Sequence, residues 1–497
     1  MTELSKGSIQ KPIVLLALFL VVAVGAAFRI ARLGSESLWL DEAYSNSTAQ
    51  ESLPEIVRAS SSDVHPPLYY FALHYWMKVF GGSEFAMRLL SVVFGVAAIP
   101  AIYKVASLLF DRMTGLFAAV LLAWSHFNIE YSQEARMYAL LALLALGSIY
   151  FFLKLLKNEA RISNLIGYVV FTSLLTYTQV YSVFILAAEN LFFLFLFFSS
   201  RNIFRRTLWR WLLSQAAVLL LFSPWLFVLK QQIAVHRNFW IRPPTFFELR
   251  YSFLQIAGSY DLFFLLIPLA ALPVAWALME QIAKSHAPRV ETEPSDLPLS
   301  TNEKVCFLFI CLASPTLLPC LASFFVTPFF LAKYTICATL AFAILIARGI
   351  RMVPRQSMQV VLLIILIAYA QSDLRDYWSQ PRKDRWREAV AFFNEQAQPN
   401  DLVVFTEPAG HQPFDYYSRH SDIVERPLPL YNHEFDADTV AEVLRPVVYD
   451  HDRVWIVMSH QIDLCALVPK QMSQWYLPLE HRTEPGVEVY LFQKKKV

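Results

Sequence analysis

Eleven apolar runs constrain the fold of this chain more than any other feature of its sequence. A helix needs about 20 consecutive apolar residues to cross the hydrocarbon core of a bilayer, and most of the runs approach or exceed that length. Charged residues make up only 16% of the chain, compared with about 25% in soluble domains. The sequence therefore predicts a polytopic α-helical membrane protein. The predicted spans are residues 12–30, 86–110, 115–130, 137–157, 163–180, 182–200, 211–229, 260–281, 304–326, 334–350 and 357–372.

One further apolar segment, residues 65–81, determines the predicted topology. It is short for a span, contains His74 and Lys78, and is rich in tyrosine, as is typical of an amphipathic helix in the membrane interface. If this segment does not span and the N-terminus is cytoplasmic, the Lys- and Arg-rich loops fall on the cytoplasmic side, in agreement with the positive-inside rule. The same parity predicts that the chain after about residue 371 is extracytoplasmic.

The sequence changes character after the last predicted span, where apolar runs shorten and charges return. Three short segments have the composition of buried strands, and one has the periodicity of an amphipathic helix. These segments are residues 402–407, 454–460, 487–492 and 384–396, respectively. We therefore predict a membrane domain of residues 1–372 and a small extracytoplasmic α/β domain of residues 373–497.

Four segments that this topology places on the outer side are rich in acidic, basic and aromatic side chains. The first outer loop, about residues 31–85, contains the adjacent pair Asp41 and Glu42. The other candidates are Asp63, His65, Tyr69, Glu134, Arg136, His236, Arg237, Arg242, Lys333 and Tyr334. Ionisable residues at membrane depth are costly, so their convergence at one face indicates a functional site.

Each candidate also has a purely structural interpretation. The acidic pair suits the N-terminus of a helix, where the helix dipole favours negative charge. The two prolines after His65 are typical of a helix start. Glu134 and Arg136 fit an ordinary loop pair, and Lys333 fits a lysine that extends its ammonium group towards water. Their convergence under a single topology favours the functional interpretation.

Three stretches of the sequence are similar to a known class of enzyme. They read "LWLDEAYS", "DVHPPLYYFALHYWMKVFGGSEFAMRLLSVVFG" and "YSQEARMYALLALLALGSIYF". In this order they resemble the bacterial family 39-like glycosyltransferases of the GT-C class, whose relatives include protein O-mannosyltransferases and the lipid A aminoarabinose transferase. The resemblance is dense over about residues 28–157 and looser through "FSPWL", "NFWIRPP" and "AKYT".

The resemblance implies a GT-C fold with about 11 transmembrane helices and an enzyme of the bacterial inner (cell) membrane. Such an enzyme moves a hexosyl or pentosyl group, with inversion, from a polyprenyl-phosphate donor to an acceptor hydroxyl at the extracytoplasmic face. Its expected partners are the lipid-linked sugar, a glycan, lipid or protein acceptor, and membrane lipids. The sequence indicates no nucleic-acid partner, and it identifies neither the sugar nor the acceptor.

The candidate residues suit this reaction. An attacking hydroxyl must lose its proton, which requires a carboxylate base, and a leaving phosphate needs cations that stabilise its developing charge. By the resemblance, Asp41 matches the catalytic acidic residue of the first loop, with Glu42 as its neighbouring alternative, and Glu134 matches the acidic residue that opens a later helix. The residues expected at the donor phosphate and lipid are His65, Tyr69, Arg136, Arg237, Arg242, Lys333 and Tyr334.

Two positions depart from the pattern of this class. His65 stands where the aminoarabinose transferase has a lysine, so a permanent positive charge is not assured there. Lys333 stands where relatives often have arginine, and a lysine cannot form the two-pronged phosphate contact of a guanidinium.

Two other functions were compatible with a chain of this composition: a lipid or glycan transporter, and a non-catalytic subunit of cell-envelope assembly. A transporter is expected to show repeats and binding residues near the bilayer midplane, and the sequence shows neither. An assembly subunit would tolerate Asp41→Asn. No cofactor is certain; for a divalent cation, Asp41, Glu42, Glu134 and His236 are the side chains that could hold it.

Overall fold

The computed structural model describes residues 3–157, 161–235, 241–284, 297–428, 437–459 and 467–495. The chain forms two compact units. The first comprises Met1–Ala31, Ser52–Val79 and Met87–Ser379, and the second comprises Arg32–Glu51, Phe80–Ala86 and Gln380–Val497. The domain boundary proposed after residue 372 stays a prediction.

Helices account for most of the described residues. The α-helices are α1 (Glu3–Ile30), α2 (Leu40–Gln50), α3 (Leu53–Ser62), α4 (Leu68–Phe80), α5 (Glu84–Leu109), α6 (Arg112–Trp124), α7 (His126–Ser132), α8 (Tyr138–Leu155), α9 (Ile162–Thr176), α10 (Val183–Ser199), α11 (Arg201–Val235), α12 (Phe246–Ala257), α13 (Tyr260–Lys284), α14 (Thr301–Ala322), α15 (Ala338–Met352), α16 (Gln356–Ser379), α17 (Trp386–Gln396), α18 (His411–Tyr417), α19 (Ala437–Val448) and α20 (Leu467–Trp475). Three short 3-10 helices are Val180–Ser182, Ala332–Cys337 and Pro408–Gly410. The strands are β1 (Leu402–Phe405), β2 (Val424–Pro427), β3 (Arg453–Ser459), β4 (Tyr476–Glu484) and β5 (Val487–Lys494).

Nine helical segments among the described residues are long and apolar enough to cross a membrane. They are Pro12–Ile30, Glu84–Leu109, Tyr138–Leu155, Val180–Ser199, Arg201–Ala234, Tyr260–Glu280, Thr301–Ala322, Ala332–Met352 and Gln356–Ser379. Two shorter apolar helices, α6 and α9, coincide with the two remaining predicted spans. The prediction of a multi-pass α-helical membrane protein is confirmed.

The helix α4 covers most of the segment that was predicted to lie in the membrane interface. It has 13 residues and is therefore roughly 20 Å long, which is less than the ~30 Å thickness of a hydrocarbon core. Its length fits a helix that does not span. Its position in the interface stays a prediction.

Local sequence signals determine where several helices of the first unit begin. The carboxylate of Asp111 accepts hydrogen bonds from the backbone N–H groups of Met113 and Thr114, at 2.9 and 3.0 Å, and so caps α6. Ser300 and Glu303 form a capping box at the start of α14. Such caps satisfy the donors that the first turn of a helix leaves without a partner.

One group of buried polar side chains in the first unit is paired across three helices. The buried carboxyl group of Glu189 on α10 accepts hydrogen bonds from Ser148 Oγ on α8 and Tyr168 Oη on α9, at 2.8 and 2.7 Å. The Ser148 hydroxyl also contacts the Thr172 hydroxyl at 2.8 Å. Three helices are therefore held together by side chains that would be costly to leave unpaired in an apolar interior.

The second unit contains a five-stranded sheet in the order β2-β1-β3-β5-β4. The strand β1 pairs in parallel with β2 and β3, whereas β5 pairs antiparallel with β3 and β4. The predicted strands at 402–407, 454–460 and 487–492 correspond to β1, β3 and β5, and the predicted helix at 384–396 corresponds to α17. These elements are confirmed, and β2 and β4 are additional.

Apolar side chains from both faces of the sheet form two cores. One face packs Leu402 and Ile456 against α19 and α20, and the other packs Val403 and Trp455 against α17 and α18. The carboxylate of Asp401, which is buried, accepts hydrogen bonds from the Trp455 indole N–H at 2.7 Å and Arg453 Nε at 3.0 Å. The sheet is thus covered by helices on both sides.

Candidate functional site

The acidic pair of the first loop lies in the first turn of α2, within the second unit. Glu42 is fully buried, and its Oε2 accepts a hydrogen bond from Lys383 Nζ at 3.0 Å. Asp41 is half-buried. The carboxylate of Glu42 is thus engaged in an ion pair inside the second unit.

The C-terminal part of the second unit fastens the first loop on either side of α2. Arg387 Nη2 on α17 contacts Glu84 Oε1 at 2.7 Å, and the same guanidinium donates to the Gly34 carbonyl at 3.4 Å. Tyr417 Oη on α18 accepts a hydrogen bond from the Leu38 backbone N–H at 2.8 Å and donates to Glu84. Burial and the Glu84 carboxylate hold the pKa of Tyr417 well above its usual range, so this hydroxyl stays a hydrogen-bond donor.

The motif "QEARMY" lies in the first unit between α7 and α8. Gln133 Nε2 donates hydrogen bonds to the carbonyl groups of Arg29 and Ala31 at the end of α1, at 3.0 and 2.8 Å. Its Oε1 accepts a hydrogen bond from Tyr377 Oη at 2.8 Å. Gln133 therefore serves as a cap for α1, and it fixes the turn that carries Glu134 and Arg136.

A close approach of two helices supports the same turn. A Cβ atom at Gly95 would overlap the Ser132 side chain and lie 3.2 Å from Arg29 Nε. The Arg29 guanidinium, which is fully buried, donates to Ser132 Oγ at 3.2 Å and to the Leu122 carbonyl at 3.2 Å. Glycine at position 95 leaves room for this contact.

Glu134 and Arg136 are both buried, with exposed fractions of 8% and 3%. Arg136 Nη1 lies 3.5 Å from Tyr70 Oη on α4. The backbone carbonyl of Arg136 accepts a hydrogen bond from Ser91 Oγ at 3.1 Å, and Ser91 Oγ contacts Tyr69 Oη at 2.9 Å. The motif that contains His65-Pro-Pro and the "QEARMY" motif are therefore joined through direct hydrogen bonds.

Tyr334 is at the centre of a cluster of rings. Its centroid lies 4.8 Å from that of Tyr181, 6.2 Å from Tyr138 and 6.2 Å from His65. The Lys333 ammonium lies 5.9 Å from the Tyr334 centroid and 6.0 Å from the Tyr138 centroid. His65, Lys333 and Tyr334, which the sequence placed in separate outer segments, thus occupy one place in the first unit.

Carboxylates also lie near this cluster. Burial, together with the charges of Glu134 and Glu130, holds the pKa of Tyr131 well above its usual range. The ring of Tyr131 lies 4.8 Å from that of Tyr138. The cations Arg136 and Lys333 therefore lie in surroundings that also contain negative charge.

An apolar cavity of about 280 Å³ adjoins the ring cluster, and all of its lining residues belong to the first unit. Its polar lining residues are His65, Gln179, Tyr181, Gln232, Thr327 and Tyr334. The remaining lining residues are Val64, Val180, Val183, Phe184, Leu229, Ile233, Ile241, Val326, Pro328 and Phe329. A ligand that matches this lining has a long apolar part and a polar end.

The other predicted site residues lie elsewhere or outside the described ranges. Arg242 is exposed and follows Ile241, which lines the cavity. His236 and Arg237 fall outside the described residues. Across the described ranges, no three His, Cys, Asp or Glu side chains are close enough to hold a metal ion.

Three residues of these surroundings were not predicted from the sequence. Lys383 is 341 positions away from Glu42, and no sequence pattern links the two. Tyr181 and Gln179 lie at the end of an apolar run, where polar residues resemble the boundary of a span. The only available signal was that a glutamine at membrane depth needs a partner.

The fold defined by these helices and the C-terminal sheet is that of the GT-C glycosyltransferases, and the resemblance found in the sequence is confirmed. The family model described as dolichyl-phosphate-mannose-protein mannosyltransferase matches residues 64–227. These residues include both His65 and the "QEARMY" motif. No curated protein sequence matches the chain.

Solved structures of glycosyltransferases share this fold. ArnT from Cupriavidus metallidurans matches with 13% identity and a TM-score of 0.62, over 95% of this chain and 97% of ArnT. The same protein bound to undecaprenyl phosphate matches with 13% identity and a TM-score of 0.61 over the same shares. The oligosaccharyltransferase AglB from Archaeoglobus fulgidus, in complex with an inhibitory peptide and a dolichol-phosphate, matches with 11% identity and a TM-score of 0.54, over 97% of this chain and 74% of AglB. At these identities the matches show a shared fold.

Proposed function

We propose that this protein is an inverting membrane glycosyltransferase that moves a monosaccharide from a polyprenyl-phosphate donor to an acceptor hydroxyl. The observation that carries the proposal is the apolar cavity in the first unit, whose polar margin includes His65 and Tyr334 and whose neighbour is the Lys333 ammonium. An isoprenoid chain ending in a phosphate has this distribution of apolar and charged parts. The binding of undecaprenyl phosphate by ArnT and of dolichol-phosphate by AglB supports the assignment.

The donor phosphate is bound by cations and hydroxyl groups. Lys333 and Arg136 supply positive charge, and Tyr334 supplies a hydroxyl donor. The hydroxyl of Tyr69, which was also predicted here, donates instead to Ser91 Oγ, because Ser91 gives its own proton to the Arg136 carbonyl. Each charge-assisted hydrogen bond to a phosphate is worth about 1.5–3 kcal/mol. His65 adds a positive charge only when it is protonated, so donor affinity depends on pH if His65 contacts the phosphate.

The proposed reaction is a single displacement at the anomeric carbon. The acceptor oxygen forms a bond with that carbon, and the bond between the carbon and the phosphate oxygen breaks. The Asp41 carboxylate takes the acceptor proton, and the lipid phosphate leaves with the electron pair of the broken bond. The cations stabilise the growing negative charge of the phosphate, so no proton has to be delivered to it.

The two remaining carboxylates have different roles in this proposal. Glu42 orients α2 through its buried ion pair with Lys383, and it does not act as the base. Glu134 is the second carboxylate of the site, carried by the turn that Gln133 holds in place. We place the reaction at the extracytoplasmic face, because the basic loops of the chain predict that side for the segments that carry these residues. The acceptor belongs to one of three classes: protein, lipid or glycan.

The test is transfer by the purified protein in lipid nanodiscs. A panel of undecaprenyl-phosphate monosaccharides is the donor, and release of undecaprenyl phosphate is measured by mass spectrometry in the presence of a membrane extract as the source of acceptor. Wild-type protein is expected to consume at least one donor, and Asp41→Asn is expected to consume it about 10²–10⁴-fold more slowly. Glu51→Gln, which changes an exposed carboxylate just after α2, is the matched control and should retain the wild-type rate.

Two results would contradict the proposal. One is that no donor of the panel is consumed while the protein is folded. The other is that the protein moves the intact lipid-linked sugar across the membrane of sealed vesicles without cleaving it, which would identify a transporter.

A further inference from the structure

Gln179 differs from the other glutamines near the site. It is 2% exposed, it lines the cavity, and neither its Oε1 nor its Nε2 has a hydrogen-bond partner among the described residues. Buried side-chain amides are almost always paired, because an orphaned donor and an orphaned acceptor each cost the full loss of hydration. An amide left in this state is suited to a ligand.

Two neighbouring glutamines show the contrast. Gln232 also lines the cavity, but its Nε2 donates to the Ser60 carbonyl at 3.0 Å and to the Asp63 carbonyl. Gln133 uses both ends of its amide, on the end of α1 and on Tyr377. Both residues fasten backbone segments, whereas Gln179 fastens none by its side chain among the described residues.

The backbone around Gln179 is held firmly. The Tyr177 carbonyl accepts a hydrogen bond from the Leu68 backbone N–H at 3.1 Å, which joins this segment to the start of α4. Two residues after Gln179, Tyr181 Oη donates a hydrogen bond to the Phe329 carbonyl at 3.0 Å, and the Tyr181 ring packs on Tyr334. The Gln179 amide is therefore presented to the cavity from a fixed position.

The two ends of an amide demand different partners. The Nε2 group donates and needs an acceptor, and the Oε1 atom accepts and needs a donor. An isoprenoid chain satisfies neither of them, and a phosphodiester satisfies only the donor. A sugar hydroxyl both donates and accepts, and two adjacent hydroxyls satisfy an amide completely.

We propose that Gln179 binds hydroxyl groups of the monosaccharide carried by the donor and contributes to the choice of sugar. This inference rests on the proposed function, because it takes the ligand of the cavity to be a polyprenyl-phosphate sugar. A site that hydrogen-bonds a hydroxyl discriminates strongly against analogues that lack it, since the buried amide is then left unpaired. Gln179 is accordingly a specificity-determining residue.

The experiment compares two probes on three variants. The probes are undecaprenyl phosphate without sugar, measured as a competitive inhibitor, and the sugar-bearing donor that the wild-type protein consumes. The variants are Gln179→Leu, which removes both ends of the amide, Gln179→Glu, which removes the donor end, and Gln356→Leu, an exposed control on α16. Thermal unfolding of each variant confirms that it is folded.

Gln179→Leu is expected to raise the Kd of the sugar-bearing donor about tenfold, the equivalent of one to two hydrogen bonds. The inhibition constant of undecaprenyl phosphate should change less than twofold, and Gln356→Leu should change neither. Gln179→Glu is expected to weaken the donor as well, because a carboxylate cannot donate. A donor with the contacted hydroxyl replaced by hydrogen should bind wild type and Gln179→Leu equally.

Three results would overturn the inference. If Gln179→Leu weakens both probes equally, the amide contacts the phosphate. If it weakens neither, the amide is solvated or paired within the protein. If wild-type protein binds undecaprenyl phosphate but consumes no sugar-bearing donor, both the proposed function and this inference are wrong. The first two results would contradict the inference alone and leave the proposed function intact.

Discussion

Replacing the adjacent carboxylates Asp41 and Glu42 by their amides is predicted to have different effects, on turnover for Asp41 and on stability for Glu42. Asp41→Asn keeps the shape of a half-buried side chain but removes its ability to take up a proton. The expected result is a turnover number about 10²–10⁴-fold lower, with a change in unfolding free energy below about 1 kcal/mol. Donor affinity should be retained, because a negative charge has been removed and not added.

Glu42→Gln is predicted to affect stability more than turnover. The Glu42 side chain is 0% exposed, and Lys383 Nζ, 13% exposed, lies 3.0 Å from it. The amide still accepts a hydrogen bond from the ammonium but loses the ionic part of the contact, a change of about 1–3 kcal/mol. Glu42→Ala removes the carboxylate that contacts the Lys383 ammonium, and the expected loss of stability is larger, up to about 3–5 kcal/mol. The double variant Glu42→Leu/Lys383→Met should recover most of that loss, because a buried ion pair can be replaced by apolar groups of similar size.

The assay pairs initial rates at saturating donor with thermal unfolding in the same detergent. We expect Asp41→Asn to be stable but slow, and Glu42→Gln to be less stable, with a turnover number within about tenfold of wild type. A stable but inactive Glu42→Gln beside an active Asp41→Asn would assign the base to Glu42. If both variants are stable and fully active, neither carboxylate takes part in the chemistry.

Three further outcomes are expected. Lys333→Ala should raise the KM for the donor about tenfold or more, since it removes a charge-assisted contact of about 1.5–3 kcal/mol, and Lys333→Arg should restore it; equal KM values would place the phosphate elsewhere. In a Cys465→Ser background, an impermeant thiol reagent added to intact cells should label Ser83→Cys but label Arg112→Cys only after permeabilisation, and labelling of both from outside would refute the predicted topology. Burial, and then the charge of Asp415, raises the pKa of Glu425 from its ordinary 4.5 to about 7. The folded state therefore binds this proton more tightly, so the stabilisation is present below pH 4.5 and is lost as the pH rises through about 7. Hydrogen exchange of β2, corrected for intrinsic rates, should become faster over that interval, and Glu425→Gln should abolish the change.

Hydropathy predicted most of the helical fold, because a span must be apolar along its whole length. Among the described residues, the nine long spans and the short helices α6 and α9 together correspond to the eleven runs. What hydropathy did not reveal is the extent of α11, which continues for 35 residues. The ends of α11 are polar and lie outside the predicted apolar span, residues 211–229. Hydropathy therefore does not predict where this helix begins or ends.

The strands of the second unit divide by their position in the sheet. The strands β1 and β3 lie inside the sheet and are buried along most of their length, so their sequences are nearly continuous apolar runs. The strands β2 and β4 are at the edges, and the residues of β4 between its first and last positions are exposed. Edge strands are polar and irregular because an apolar edge would pair with other chains. A polar, irregular sequence lacks the apolar pattern from which a strand is predicted, so β2 and β4 were not predicted.

The candidate site shows the same division between local and long-range information. The residue types of the site could be predicted because chemistry limits them to carboxylates, cations and tyrosines. Their partners could not be predicted, because Lys383 reaches Glu42 across 341 positions and Gln133 proved to be a cap. Adjacent residues on a helix point about 100° apart, so α2 cannot present Asp41 and Glu42 to the same partner. Since Lys383 engages Glu42, the direction left to Asp41 is a different one, and the buried ion pair is what fixes that direction. In the proposed reaction, Glu42 is thus the residue that orients its neighbour, and Asp41 is the base.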